Sequence, residues 1–395
     1  MKKLNIGMIG FGTVGQGLYR VLQKSKTVET SLRAICIKHE NKSRSIDSPL
    51  LTVDKNKIIN DPDIHVVVEL IDDADEAYRM VKASLRRGKN VVSGNKKMLA
   101  AHLEELIQLQ QEYKVSLLYD ASACGSIPII RNLEEYYDND LLKSITGILN
   151  GSSNYILSQI FRKNKPYAEA LKEAQNLGFA ESNPDADVQG YDALYKLVII
   201  TAHAFGTVVQ AAEVFRFGID KISDFDVRFA KEKGWKIKLV AKVMKTGNDR
   251  MALWVAPQFV QEDDYIFNVE DEYNGVVIEG EFYDKQFMFG KGAGGFPTGS
   301  AVLSDITALS HSYKYEYKKR KYFPVPETTN EVLLQVYVRY DDEKDLAHFD
   351  FKEITEQYSG QGTHYVIGKI VLNDLWKLSG VLPRLSLFLG ILSAC

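Results

Sequence analysis

A chain of 395 residues that is 45% hydrophobic and 26% charged holds enough apolar material for two or three packed domains, which excludes a disordered or fibrous protein. Its formal net charge of -3 raises no broad cationic field, so no nucleic-acid partner is expected; the basic stretch 314–321, broken by Tyr315, Glu316 and Tyr317, reads as a solvated face. No apolar run is long enough for a membrane span, no signal-peptide core opens the chain, and Cys36, Cys124 and Cys395 are too scattered for a disulfide framework or a zinc site, so a cytoplasmic protein that contacts no membrane is expected.

The first element is the apolar, strand-like run Leu4–Ile9, which leads directly into Gly10-Phe11-Gly12-Thr13-Val14-Gly15 and then a helical spacing of Leu18, Val21 and Leu22. Strand, glycine turn and helix in that order form a dinucleotide-binding pattern. Gly10 makes the turn, Gly12 leaves the backbone open to a pyrophosphate, and Gly15 lets helix and strand pack closely. The amides opening the helix, those of Thr13 and Val14 included, then face the anion. Strand-like runs follow at 32–37, 64–71, 90–93 and 115–120, with helical patterns at 75–87 and 99–113. This alternation predicts an α/β fold whose residues 1–130 form a Rossmann-type, doubly wound parallel sheet binding NADP or NAD. Lys38, at the end of the second strand, suits the extra phosphate of NADP, although a solvated lysine would look the same.

Farther along, 147–157 contains Asn150-Gly151-Ser152-Ser153, a strand-to-helix turn with Ser152 or Ser153 as the expected helix cap. The stretch 178–192 carries Glu181, Asp185, Asp187 and Asp192 among Asn183-Pro184 and Gly190, which interrupt regular structure. Asp192 and Lys196 are four apart, so a helix puts them on one face. They are either a surface ion pair or a substrate-binding carboxylate beside a proton-donating lysine. A calcium loop is disfavoured because Lys196 stands where a bidentate glutamate would be needed. A glycine-rich loop at 290–300 leads into a helical run, and strands are expected at 332–340 and 363–372. The apolar run 385–392 is expected to be a helix.

Taken together, the glycine turn at 10–15, the 147–157 block, the 178–196 signature and the 290–306 loop resemble the homoserine dehydrogenase family over residues 1–312. The resemblance implies NAD(P)H-dependent, reversible reduction of L-aspartate 4-semialdehyde to L-homoserine in threonine and methionine biosynthesis. It implies that Lys196 or Lys96 is the proton donor, that Glu181 and Asp192 bind substrate, and that Asp187 supports the lysines and so belongs to the substrate site. Gly178, Gly292 and Lys96 would join the cofactor site. Asp120 with the carbonyls of Ala123, Gly125 and Ile127 would match a sodium site found in some members. An α+β substrate and dimerisation domain is expected over 131–298, with a helix near 299–312 packing back on the first domain and a homodimer as the assembly. The tail, 326–395, would be a reduced ACT-like module or a packing element. Asp72-Asp73, Lys291 and Phe296 depart from the family pattern, pointing to altered cofactor affinity or preference. The alternatives are a catalytically weak, amino-acid-responsive homologue and a dehydrogenase for another small amino acid.

Overall fold

Short runs pair side by side at the N-terminus: β1 (Leu4–Ile9), β2 (Thr30–Cys36), β3 (Leu51–Thr52), β4 (Val66–Glu69), β5 (Asn90–Ser93) and β6 (Leu117–Leu118). In the computed structural model, which describes residues 3–26, 29–40, 46, 49–247, 249–360 and 362–395, these form one sheet in the order β3-β2-β1-β4-β5-β6. Every neighbouring pair is parallel. All four residues of β4 are buried, as continuous apolar strands of a covered parallel sheet should be. The connections are α1 (Thr13–Lys24), α2 (Asn56–Ile59), α3 (Ala74–Arg86) and α4 (Lys96–Tyr113), followed by α5 (Ala121–Cys124) and α6 (Ile129–Glu135). The strand order reverses between β1 and β4, which places a ligand crevice at their carboxyl ends.

Residues 1–138 make a unit with 291–321, and 139–290 make a second unit with 322–395. The first unit therefore ends beyond the expected residue 130 and regains the chain at 291 rather than after 298. Its returning helix, α12 (Gly295–Ser310), lies against α1 backbone to backbone. A Cβ on Gly17 would fall 1.9 Å from the Gly295 carbonyl oxygen, and one on Gly299 would fall 2.6 Å from the Leu18 amide. The solvated-face reading of 314–321 is corrected here. Tyr315, Tyr317 and Lys319 are buried, while Lys318 pairs with Asp138, Arg320 with Glu104 and Lys321 with Glu316. The tyrosines alternate inward in an extended segment before α13 (Lys318–Tyr322), so they pack while the cations reach carboxylates.

The second unit is built on one eleven-stranded sheet. Its strands are β7 (Leu142–Ile148), β8 (Phe215–Arg216), β9 (Lys236–Lys245), β10 (Arg250–Val260), β11 (Tyr273–Gly280), β12 (Asp284–Lys291), β13 (Glu327–Thr328), β14 (Leu333–Tyr340), β15 (Glu353–Ser359), β16 (His364–Val371) and β17 (Leu387–Ala394). The main path runs β12-β11-β7-β9-β10-β17-β14-β16-β15, with β8 and β13 beside β10. The helices are α7 (Gly151–Lys163), α8 (Tyr167–Asn176), α9 (Asp185–Val188), α10 (Tyr191–Phe205), α11 (Asp224–Glu232), α14 (Glu343–Leu346) and α15 (Leu372–Lys377). Ile148, Val240, Val260, Ile266, Val269 and Val277 form a core cluster under this sheet.

The helix expected at 385–392 is a strand. Leu387–Ile391 are all buried, and β17 sits between β10 and β14. A short apolar run buried on both faces carries no period that separates strand from helix. From β14 to β17 the chain runs β-α-β-β-α-β, and the strands lie in the order fourth, first, third, second, with antiparallel neighbours. This is a split β-α-β arrangement with short helices. It is continuous with the middle sheet rather than separate from it.

A buried ion pair ties the tail to α11. Arg339 Nε donates to both Asp226 oxygens at 3.1 Å, Arg339 Nη2 donates to the Lys221 carbonyl at 2.9 Å, and the Tyr337 hydroxyl donates to Asp226 Oδ1 at 2.9 Å. Asp226 also closes a capping box with Ser223. Arg339→Met leaves that carboxylate buried without its cation, and a loss of about 3 kcal/mol in urea unfolding is expected. A loss below about 1 kcal/mol would show that the pair does not hold the tail.

Candidate active site

The candidate nucleotide site lies at the β1 crest. Gly10 adopts φ +104°, and a Cβ there would lie 2.4 Å from the Leu70 carbonyl oxygen, so the turn accepts only glycine. At Gly12 an added Cβ meets nothing within 4 Å; the backbone faces open space. Helix α1 begins at Thr13 with no side-chain cap and no acidic residue in its first turn. Its first i to i+4 bond is Gln16 N–H to the Gly12 carbonyl, at 3.0 Å. The opening amides and the positive end of the helix dipole are thus offered to an anion, and the residues fit a dinucleotide pyrophosphate. Lys38 is exposed just beyond β2, and Lys96 is the half-buried first residue of α4.

At the neighbouring crests of β4 and β5 a carboxyl group that the sequence reading passed over is fully buried. Glu69 Oε1 accepts from the Ile71 amide at 2.7 Å, and Oε2 accepts from the Ser93 hydroxyl at 2.6 Å. Burial pushes this carboxyl up to about 7, and the charge of Asp72 adds to the effect. Asp73 is not a loose carboxylate. It caps α3 by accepting from the Glu76 amide at 2.8 Å, which holds it below the usual carboxylate range.

In the second unit a candidate substrate site is organised by Asn150, at the exit of β7. Its Nδ2 donates to Asp187 Oδ1 at 2.7 Å and to Asp192 Oδ2 at 3.0 Å, while its Oδ1 accepts from the Ser153 amide at 2.7 Å. Lys196 Nζ reaches the Leu149 carbonyl at 2.7 Å and Asp192 Oδ2 at 2.8 Å. Asn274 Nδ2 donates to the same Leu149 carbonyl at 3.0 Å. The Asp192 and Lys196 side chains are each 7% exposed, which removes the surface-pair reading of this i,i+4 couple. Burial raises the Asp187 carboxyl, and the charge of Asp192 raises it further.

The structure therefore joins Asp187, Asp192 and Lys196 in one network. Glu181 lies on an exposed segment outside it, its main-chain carbonyl accepting from Gln175. The cap of α7 is Asn150 rather than Ser152 or Ser153. An asparagine one residue earlier extends its side chain to the third amide as a serine would, and the following serines masked it. Gly178 is an exposed left-handed residue closing α8, and Gly292 is buried. The latter's carbonyl lies so near Gly125 that a Cβ on Gly125 would fall 2.6 Å away.

The sodium expectation finds no support. Asp120 turns its carboxylate into the start of α6, where Oδ1 accepts from the Ile130 and Arg131 amides at 2.8 and 3.3 Å. Among the described residues no group of three or more His, Cys, Asp or Glu could hold a metal. Ala123, Gly125 and Ile127 are buried in the turn beside it.

The six-stranded parallel sheet and its uncapped glycine turn define a dinucleotide-binding protein of the doubly wound class. Residues 10–120 match the family described as "Homoserine dehydrogenase, NAD binding domain", and residues 128–307 match "Homoserine dehydrogenase". The chain is 30% identical to the homoserine dehydrogenase of Bacillus subtilis over 379 residues, which is 92% of this chain and 87% of that one. It is 37% identical to that of Neisseria gonorrhoeae over 318 residues, 78% of this chain and 73% of that one. The solved homoserine dehydrogenase of Thiobacillus denitrificans superposes with a TM-score of 0.86 at 27% identity, covering 99% of this chain and 98% of that one. A hyperthermophilic archaeal homoserine dehydrogenase in complex with NADPH gives 0.67 at 25% identity, over 80% of this chain and 99% of that one. The chain belongs to the homoserine dehydrogenase family and is an oxidoreductase acting on homoserine.

A stability prediction follows from Glu69. With its folded value near 7 and its ordinary value 4.5, the protonated carboxyl carries no charge penalty below pH 4.5, and the penalty grows to about 3 kcal/mol as pH rises through 7. Glu69→Gln is expected to raise the melting temperature at pH 8 more than at pH 5, as read by calorimetry at both. An equal shift at the two values would contradict the assignment.

Proposed function

We propose that the chain interconverts L-homoserine and L-aspartate 4-semialdehyde with Lys196 as the proton donor in reduction and the acceptor in oxidation. The observation that carries this reading is the buried network around Lys196. An ammonium has three N–H bonds; two point at the Leu149 carbonyl and Asp192 Oδ2, which fixes the direction of the third. We assign that third bond to the aldehyde oxygen, where negative charge develops as the aldehyde carbon is reduced. The bound nicotinamide supplies or accepts the hydride. Asp192 and Glu181 take the polar ends of the substrate, and Asp187, tied to Asn150, holds the carboxylate pair in register. Gly10, Gly12, Thr13, Val14 and Gly15 hold the pyrophosphate, and Lys96 and Gly292 complete the cofactor site.

Lys38, exposed beyond β2 where NAD-specific sheets carry an acid, supports NADP as the preferred cofactor, and the NADPH-bound archaeal relative agrees with this. A reduced ACT-like module over the tail is supported by its split β-α-β strand order, and a homodimer by the exposed aromatic rings of Phe287 and Phe289 on β12, with Tyr265 stacked on Phe287. No helix among the described residues is long and apolar enough to cross a membrane, and a cytoplasmic location accords with the biosynthetic role.

One assay tests the central reading. Homoserine oxidation is followed by nicotinamide absorbance with NADP and with NAD, and NADP should give the lower KM. Lys196→Ala should lower kcat by about two orders of magnitude with the fold intact. Absence of turnover with either dinucleotide would overturn the function, and a near-normal Lys196→Ala rate would overturn the proton-donor role. Threonine added to the same assay probes the tail, and light scattering should read a dimer mass.

A further inference from the structure

Glu69 is a buried carboxyl group of the nucleotide unit that the reaction above does not use. Glu69 is the last residue of β4, at the floor of the crevice where the strand order reverses. It is 0% exposed, an expensive place for an ionisable side chain. Its hydrogen bonds continue outward into two crests. On the β4 side it holds the Ile71 amide at 2.7 Å. On the β5 side it holds the Ser93 hydroxyl at 2.6 Å, and Ser93 Oγ in turn accepts from the Asn95 amide at 3.2 Å. Asn95 closes the loop: its Nδ2 donates to the Ile71 carbonyl at 3.0 Å, and its Oδ1 caps α4 by accepting from the Met98 amide at 2.9 Å. The main chain adds a bond from the Gly94 amide to the Glu69 carbonyl at 3.0 Å.

This closed ring couples three things that a dinucleotide must find in register. The segment after β4 abuts the glycine turn, since Leu70 donates its amide to Ile9 at 2.8 Å and its carbonyl crowds Gly10. The segment after β5 sets the first turn of α4. Lys96 is the first residue of that helix. We propose that Glu69 is a positioning residue for the nicotinamide end of the cofactor, acting as a hydrogen-bonding brace that locks the crests of β4 and β5, and with them Lys96, into one fixed arrangement. The raised value near 7, caused first by burial and then by Asp72, agrees with a group that serves by its hydrogen bonds rather than by its charge. The proposal rests on the homoserine dehydrogenase reading for its kinetic arm and on dinucleotide binding alone for its other arm.

The test compares Glu69→Ala, Glu69→Gln and Ser93→Ala with the unaltered enzyme, each first checked by its melting temperature. Glutamine can accept from the Ile71 amide through its oxygen and donate to Ser93 through its nitrogen, so it retains the brace; alanine removes it. Glu69→Ala should raise the dissociation constant for NADPH, read by fluorescence titration, about tenfold and lower kcat about tenfold, with the KM for homoserine within about twofold of the parent. Glu69→Gln should restore both to within about threefold. If Glu69→Ala does not fold, Ser93→Ala decides the matter, because it breaks only the link from Glu69 to Asn95 and should weaken NADPH in the same direction. NADPH affinity and kcat unchanged in a folded Glu69→Ala or Ser93→Ala would overturn the brace. So would a Glu69→Gln variant as impaired as alanine. Should the unaltered enzyme fail to oxidise homoserine while the titrations follow the expected pattern, the substrate reading fails and the brace stands.

Discussion

Two carboxylates and an ammonium cannot be gathered in a buried place unless something neutral holds the like charges together, and here that is the side-chain amide of Asn150. Its two N–H bonds go to Asp187 and Asp192, and its oxygen starts α7. One residue before it, the Leu149 carbonyl takes Lys196 and Asn274. A single strand exit therefore anchors the chain segments 149–153, 187–196 and 274. Remove that anchor and the acidic residues would repel one another or take up protons, because desolvation already raises Asp187. The proton chemistry assigned to Lys196 depends on this arrangement more than on the lysine's own position in its helix.

The same principle operates in the nucleotide unit with different chemistry. There the anion-binding end is built by leaving amides unspent at α1, and the adjoining crests are fixed by the ring through Glu69, Ser93 and Asn95. One unit thus offers open backbone donors to a charged ligand, while the other ties its side chains to one another, which gives the Lys196 ammonium a defined direction. Asp226 and Arg339 do for the tail what Asn150 does for the substrate group: a buried polar contact sets where an element docks, and its value lies in register rather than in net energy.

Much of this was legible in the residues, and the limits are physical. The β1 strand, its glycine turn and α1 could be read because the glycine spacing marks a tight turn with open backbone, as Gly10 against Leu70 and Gly12 facing open space show. Asp192 and Lys196 could be paired because a helix brings positions four apart together. Asn150 could not be assigned to Asp187 and Asp192, since a contact spanning some forty positions leaves no local spacing. Glu69 was hidden for the opposite reason: it ends an apolar strand, where a polar residue usually marks the way out to water. Its burial depends on Ser93 from the next strand. Strand β17 was misread because a short apolar run, buried from Leu387 to Ile391, satisfies a helix and a strand alike.

The place of β17 has a further consequence. It fills the gap between β10 and β14 although it follows both in the chain. During synthesis the nascent chain must therefore carry two half-paired strand borders, with Phe259 and Tyr337 beside them, until residues 387–394 leave the ribosome. That interval, rather than any step in the finished enzyme, is when open strand borders invite the chain to pair with a copy of itself.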